Sequence, residues 1–274
     1  MYQRLKSSRQ GNENFLSKLA GEVRDLVEKG YYDSNLTINH KPISLRSVIE
    51  ESERPSIVTE VKFSSPSMGE IRKRNNDDQV DIMVSQMERG GATAISVLTQ
   101  PLYFGGSLDN LRLARVSIGS PILMKDIIID ERQIDVGLKF GADVILLIES
   151  LFVNSKFGSV DDLIDIIHQN GLEVLLEVNS VNEFKRAITS KADIIGINNR
   201  DLNSLELDLQ TTERILSAGI ETDKPIMSES GIENRDEIER LSKLGVSAFL
   251  VGTSIMKSKD IESKVSELSG EKIK

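Results

Sequence analysis

The sequence predicts an α/β protein: a single (β/α)8 TIM barrel preceded by an N-terminal helical extension. Three observations lead there. Eight short aliphatic or β-branched runs lie between residues 56 and 251, separated by segments of roughly 10 to 30 residues with apolar side chains at helical spacing. Several runs are apolar throughout instead of alternating, the pattern of parallel strands covered on both faces. A junction signature recurs before four of them, as Arg89-Gly90-Gly91-Ala92, Phe140-Gly141-Ala142-Asp143, Lys191-Ala192-Asp193 and Leu244-Gly245-Val246. In three of the four a glycine stands where a helix C-terminus favours positive φ. No linker or break in composition interrupts the series, and no Gly-x-Gly-x-x-Gly turn follows the first run. A closed barrel is therefore favoured over an open dinucleotide-binding sheet.

In chain order, residues 1–50 form an N-terminal extension that is polar and weakly patterned. Within it a helix is expected over Asn14 to Lys29, stopped by Gly30 and followed by a loop containing Pro42. The barrel domain is assigned to residues 51–274. Its strands are predicted at Ser56–Lys62, Ala92–Leu98, Pro121–Lys125, Ala142–Ile148, Leu172–Val178, Ala192–Asn198, Pro225–Glu229 and Ser247–Val251. The amphipathic segments between them supply the outer helices.

The composition narrows the chemistry. The 274 residues include no Cys and 2 His, so disulfides, thiolate nucleophiles and the usual zinc sites are excluded, and proton transfer falls to Lys, Glu and Asp. No metal or other cofactor is called for. A net charge of −9 with interleaved signs argues against a nucleic-acid surface. The longest aliphatic run, Val144 to Ile148, is far short of the roughly 20 residues of a spanning helix. The N-terminus does not lead into the apolar segment of a signal peptide, so the expected setting is the cytoplasm, with a monomer as the default state.

In such a barrel the chemistry belongs at the C-terminal ends of the strands. There the first strand offers Glu60 and Lys62, two apart and so on one face. The third ends on Lys125, directly after four apolar residues. The fifth has Glu177 inside an apolar run, where an unpaired charge is costly. The sixth brings Asn198 and Arg200. Each alone has a bland explanation, such as a surface ion pair or a snorkelling lysine. Their convergence on one end of the predicted barrel does not. Strands seven and eight finish Glu229-Ser230-Gly231-Ile232 and Val251-Gly252-Thr253-Ser254, small residues at the two places where this fold commonly cradles phosphate. The residues alone thus point to an enzyme for a small phosphorylated anion.

At these positions the chain resembles the indole-3-glycerol-phosphate synthase family of tryptophan biosynthesis. The matching blocks are 60–67, 97–107, 121–126, 176–179, 196–202 and 229–232, in the family's order, and the likeness covers about residues 43–257. Blocks such as Glu229-Ser230-Gly231-Ile232 recur in other phosphate-binding barrels. Glu60-Val61-Lys62-Phe63-Ser64-Ser65-Pro66-Ser67 together with Pro121-Ile122-Leu123-Met124-Lys125-Asp126 is far more specific.

The resemblance implies closure of the indole ring of 1-(2-carboxyphenylamino)-1-deoxyribulose 5-phosphate with loss of carbon dioxide and water. It implies that Lys125 protonates the ketone oxygen, that Lys62 holds the substrate carboxylate and serves in dehydration, that Glu177 moves the later protons and that Glu60 orients lysine and substrate. Asn198 and Ser230 complete the catalytic set. Arg200 is expected near the anthranilate carboxylate, Gly231, Gly252 and Thr253 at the phosphate, and Ser65, Pro66 and Phe104 along the wall, with the N-terminal extension folding over the site as a lid.

The chain departs from the family pattern at Met68, at Gln100 where an acid is common, at Ile127 where an aromatic is common and at Asn179 where His is common. These changes fall on the anthranilate wall and leave the catalytic set intact. Phosphoribosylanthranilate isomerase, a related barrel, uses a Cys base that this chain lacks.

Overall fold

The computed structural model describes residues 15–73, 80–153 and 157–270. Eight parallel strands close into a barrel: β1 (Ser56–Val61), β2 (Ala94–Leu98), β3 (Ile122–Lys125), β4 (Val144–Ile148), β5 (Glu173–Val178), β6 (Ile194–Asn198), β7 (Ile226–Glu229) and β8 (Ala248–Val251). Every predicted run contains one of them. Closure is made by β1 pairing with β8, Ser56 opposite Ala248, and with β2, Val58 opposite Ala94. The strands are buried almost without interruption, as uniformly apolar runs require.

Several of the outer helices begin on side-chain caps. Ser107, Ser159 and Ser180 each accept a hydrogen bond from a first-turn N–H. Asp130 with Gln133, and Asn234 with Glu237, form reciprocal capping boxes.

The repeated junction has a structural reason beyond its glycine. The residue that follows each small-residue step turns its side chain onto the strand before it. Thr93 Oγ1 accepts from Ile57 N (3.2 Å), Asp143 Oδ2 from Ile122 N (2.6 Å), Asp193 Oδ2 from Val174 N (2.8 Å) and Ser247 Oγ from Ile226 N (3.2 Å). Each even-numbered strand thus satisfies an N–H at the foot of the odd-numbered strand before it, where a buried donor would otherwise go unpaired. Gly91, Gly141 and Gly245 have φ of 92°, 87° and 97°, as their C-terminal positions predict.

Helix α1 (Phe15–Glu28) matches the expected first helix to within a residue, Asn14 lying outside the described residues, and Gly30 ends it with φ 77°. Its pattern is stronger than the flanking polarity suggests, since Leu16, Leu19, Ala20, Val23 and Val27 are all buried. A short helix that the sequence reading missed, α2 (Leu45–Glu50), starts on the Ser44 cap and buries Leu45 and Ile49. Six residues are too few to show a period. The extension therefore runs the height of the barrel. Helix α1 and Tyr32 sit at the C-terminal ends of the strands, where Tyr32 donates to Asp126 (3.0 Å). Ile43 and Arg46 bond through their N–H groups to Asp143 (2.8 Å) and Glu173 (2.9 Å) at the opposite end.

Candidate active site

The strand ends deliver their polar side chains to one cavity at the C-terminal mouth. Lys125 closes β3, and its Nζ donates to Glu229 Oε2 of β7 at 2.6 Å and to Glu177 Oε2 of β5 at 3.2 Å. A second pair stands beside it, Lys62 Nζ lying 2.5 Å from Glu60 Oε2. Neither is the surface pair or snorkelling lysine of the bland reading: the glutamates are at most 4% exposed and the lysines 15% and 17%. Three carboxylates and two ammonium groups thus share a largely dehydrated site, where charge interactions are strong.

The environment perturbs these groups in a useful direction. Burial opposes the charge on Lys125, but the carboxylates of Glu229, Glu177 and Glu60 outweigh it and hold its pKa well above the ordinary value. It stays an ammonium, a stored proton beside the cavity. Glu229 is pushed up to about 7 by burial, with Lys125 pulling it back down and Glu177 adding to the rise. Its second oxygen, Oε1, is buried without a hydrogen-bond partner among the described residues. This carboxyl group therefore holds a proton more readily than an ordinary glutamate and keeps one oxygen uncommitted, a perturbation that clusters at functional sites.

Asn198 at the end of β6 ties the cluster to the next loop. Its Nδ2 donates to Glu177 Oε1 (3.0 Å), and its Oδ1 accepts from Arg200 N (2.9 Å). Asn179 donates to the Asn198 carbonyl (2.7 Å), so this residue at a common His position is a backbone brace. Arg200 bonds the Leu205 carbonyl (2.8 Å) and forms no ion pair among the described residues; burial pulls its pKa down. A half-buried guanidinium without a carboxylate is a ready anion site. Leu205 itself has φ 63°, a left-handed conformation rare for leucine.

At the β7 end, Ser230 (φ 66°) and Gly231 (φ 80°) turn the chain sharply, and Asn199 Nδ2 pins the Ser230 carbonyl at 3.1 Å. With φ at 80° an L side chain at Gly231 would be strained, and it would also press on the Leu209 side chain at 2.3 Å. Gly252 and Thr253 follow β8 and open a short helix, Thr253–Lys257. The wall is apolar, with Pro66, Phe104, Ile127 and Leu202 joined by Phe15, Leu16 and Leu19 of α1. Ile127 gives that wall an aliphatic face where an aromatic is common. Gln100 Oε1 accepts from Tyr103 N (2.9 Å), so the amide caps the short helix Pro101–Phe104 as an acid would.

All thirteen residues singled out from the sequence line this cavity: Glu60, Lys62, Ser65, Pro66, Phe104, Lys125, Glu177, Asn198, Arg200, Ser230, Gly231, Gly252 and Thr253. Two groups went unassigned. Glu229 lay inside a block read for its small residues, although its position as a charge ending an apolar strand was the same signal that flagged Glu177. Asp126 is buried beneath the wall, accepting from Thr99 Oγ1 (2.6 Å) and Tyr32 OH (3.0 Å). Among the described residues no group of three or more His, Cys, Asp and Glu could hold a metal, and no helix is long and apolar enough to cross a membrane.

Comparison with known proteins places this geometry. The family model for indole-3-glycerol phosphate synthase matches residues 15–268. The indole-3-glycerol phosphate synthase of Methanocaldococcus jannaschii is 45% identical over 77% of this chain and 76% of its own. That of Staphylococcus haemolyticus is 37% identical over 94% and 98%, and that of Aquifex aeolicus 41% over 78% and 81%. Among solved structures, thiamine phosphate pyrophosphorylase from Pyrococcus furiosus superposes with a TM-score of 0.56 at 19% identity, covering 82% of this chain and 96% of that one. The last likeness concerns the fold alone.

Proposed function

The chain belongs to the indole-3-glycerol phosphate synthase family, and from that premise we propose how its cavity performs the ring closure. The protein is a decarboxylating, ring-closing carbon–carbon lyase of tryptophan biosynthesis. The substrate, 1-(2-carboxyphenylamino)-1-deoxyribulose 5-phosphate, lies with its phosphate against the backbone of Gly231, Gly252 and Thr253 and with Ser230 beside it. Its aromatic ring rests on Pro66, Phe104 and Ile127, and its carboxylate faces Lys62 and Arg200. Ser65 shapes the rim. Helix α1 acts as a lid over the ring, through Phe15, Leu16 and Leu19.

The ring carbon that bears the carboxylate attacks the ketone carbon, and the charge growing on the ketone oxygen is met by the Lys125 ammonium. A fixed cation aimed at that oxygen needs no reorganisation as the charge develops. Transfer of the Lys125 proton gives the alcohol. The bond from the ring to the carboxylate then breaks, its electrons restore the aromatic ring, and carbon dioxide leaves. Loss of water follows: Lys62, oriented by Glu60, protonates the departing hydroxyl. Glu177, held by Asn198, takes the proton whose removal forms the new double bond of the pyrrole ring. Glu229 returns a proton to Lys125 for the next turnover. The working unit is a single copy in the cytoplasm.

The observation that supports this reading most directly is the Lys125 ammonium fixed between Glu177 and Glu229 at the cavity floor, where a ketone oxygen would sit. Replacement of Lys125 by Ala is expected to abolish turnover while ligand binding at the phosphate end survives. Near-normal turnover by that variant would sink the assignment.

A further inference from the structure

We infer that Gly196 is a positioning residue: its missing side chain is the niche that seats the Glu229 carboxyl group and so fixes the anion on which Lys125 rests. The inference deepens the catalytic reading above and rests on it.

Gly196 lies in the middle of β6, opposite Glu177 of β5 on one side and Met227 of β7 on the other. Asn198, two residues on, shares its face and bonds Glu177 inside the barrel, so position 196 faces the barrel interior too. An interior position in the layer below a site ordinarily carries a side chain that fills the core. Here the space is taken by a neighbour. A Cβ built on Gly196 would lie 2.2 Å from Glu229 Oε1 and 3.4 Å from its Cδ, so the carboxyl group occupies the volume a side chain would need. The backbone conformation asks nothing special of this glycine, because its φ is not in the left-handed region. The closest approach is that of Glu229, with Leu175 Cδ1 next at 3.3 Å, a contact that a slight shift of a flexible side chain relieves.

The niche has a consequence across the barrel. With Oε1 lodged against β6 and, among the described residues, free of hydrogen bonds, Oε2 is the oxygen that meets Lys125 Nζ at 2.6 Å, a shorter ion-pair contact than the 3.2 Å to Glu177. A methyl group at 196 must push the carboxyl away. The atom it meets is the end of a flexible side chain, so the barrel can still fold while the Lys125–Glu229 contact is lost. The same device recurs at β8, where a Cβ on Gly252 would come 2.5 Å from Glu60 Oε2.

The test is a double-mutant cycle on the full chain, comparing wild type, G196A, E229A and the double variant by single-turnover kinetics on the carboxyphenylamino sugar phosphate and by urea unfolding. G196A is expected to lose about tenfold or more in the chemical step with KM within about twofold. In the E229A background, where the obstructed group is gone and only the Leu175 contact at 3.3 Å remains, the glycine substitution should cost nothing further in rate and much less in unfolding midpoint than it does beside Glu229. Where E229A is too slow to assay, the midpoints decide. Wild-type-like turnover by G196A, or an equal loss of midpoint from G196A in both backgrounds, overturns the inference, because a glycine needed only for strand packing costs the same whatever stands at 229. Failure of the wild type to make any indole product would instead sink the catalytic reading, and the midpoint cycle would still test the niche.

Discussion

Two buried ionic clusters stand at opposite ends of the barrel, and they differ in one respect. At the N-terminal end Asp143 is fully enclosed and fully engaged: Oδ2 accepts from Arg115 (3.0 Å) and Ile122 N (2.6 Å), and Oδ1 binds His40 Nε2 (2.6 Å) and Ile43 N (2.8 Å). Even the glycine beside it is accounted for, since a Cβ on Gly141 would strike the Arg115 side chain at 2.2 Å. At the C-terminal end Lys125 is shared by two glutamates, Glu229 keeps an oxygen unpartnered among the described residues, and the group faces a cavity. A saturated buried charge is a strap. One with spare valence beside a cavity is a site, its incomplete bonding being what a substrate completes.

Substitutions at the two ends should therefore fail in different ways. Lys125→Ala is expected to reduce the chemical step of the folded protein by about 10²–10⁴-fold or more, the usual contribution of a placed general acid, beyond any loss of midpoint from the Glu177 and Glu229 carboxylates it leaves unpaired. A chemical step near wild type in the folded fraction would assign Lys125 to the scaffold. Asp143→Ala should cost stability and spare the chemistry. It strands Arg115 and two backbone donors, at a cost of about 3–5 kcal/mol by chemical denaturation, while the folded fraction keeps its KM.

A smaller effect is expected where the extension meets the barrel. Tyr32→Phe removes one hydrogen bond to Asp126 and should cost about 1 kcal/mol with turnover largely retained. The smallest is a matter of pH. Burial raises the Asp126 carboxyl from 3.8 to about 6, against the pull of Thr99, the Ile127 N–H and Tyr32. Between these values the folded state holds more protons than the unfolded one, so this group's contribution to stability falls as pH rises from about 4 to about 6. Asp126→Asn should flatten that part of the stability profile, and an unchanged slope would show that Asp126 does not titrate there.

The contrast also explains what could be read in advance. Parallel strands buried on both faces leave continuous apolar runs, so all eight were legible, and a charge such as Lys125 or Glu177 stood out against them. The junction signature was legible as a helix stop, but its second role was not. That Asp143 and Asp193 cap the foot of the preceding strand depends on which strands are neighbours, a matter of closure. Helix α2 was too short to show periodicity. Glu229 was overlooked because its block was read for glycine and serine. Its importance appears only when β3 and β7, about a hundred residues apart in sequence, face each other across the barrel and Glu229 meets Lys125. Gly196 was invisible for the same reason, since a missing side chain has meaning only beside the group that fills its place.

The most direct test of the account is to mix the purified protein with 1-(2-carboxyphenylamino)-1-deoxyribulose 5-phosphate and follow indole fluorescence, which the chain, having no Trp, does not itself emit. The wild-type protein should give steady growth of the indole signal with release of carbon dioxide, and Lys125→Ala should give none. An unchanged spectrum with the wild-type protein, or equal rates for the two, would contradict the account.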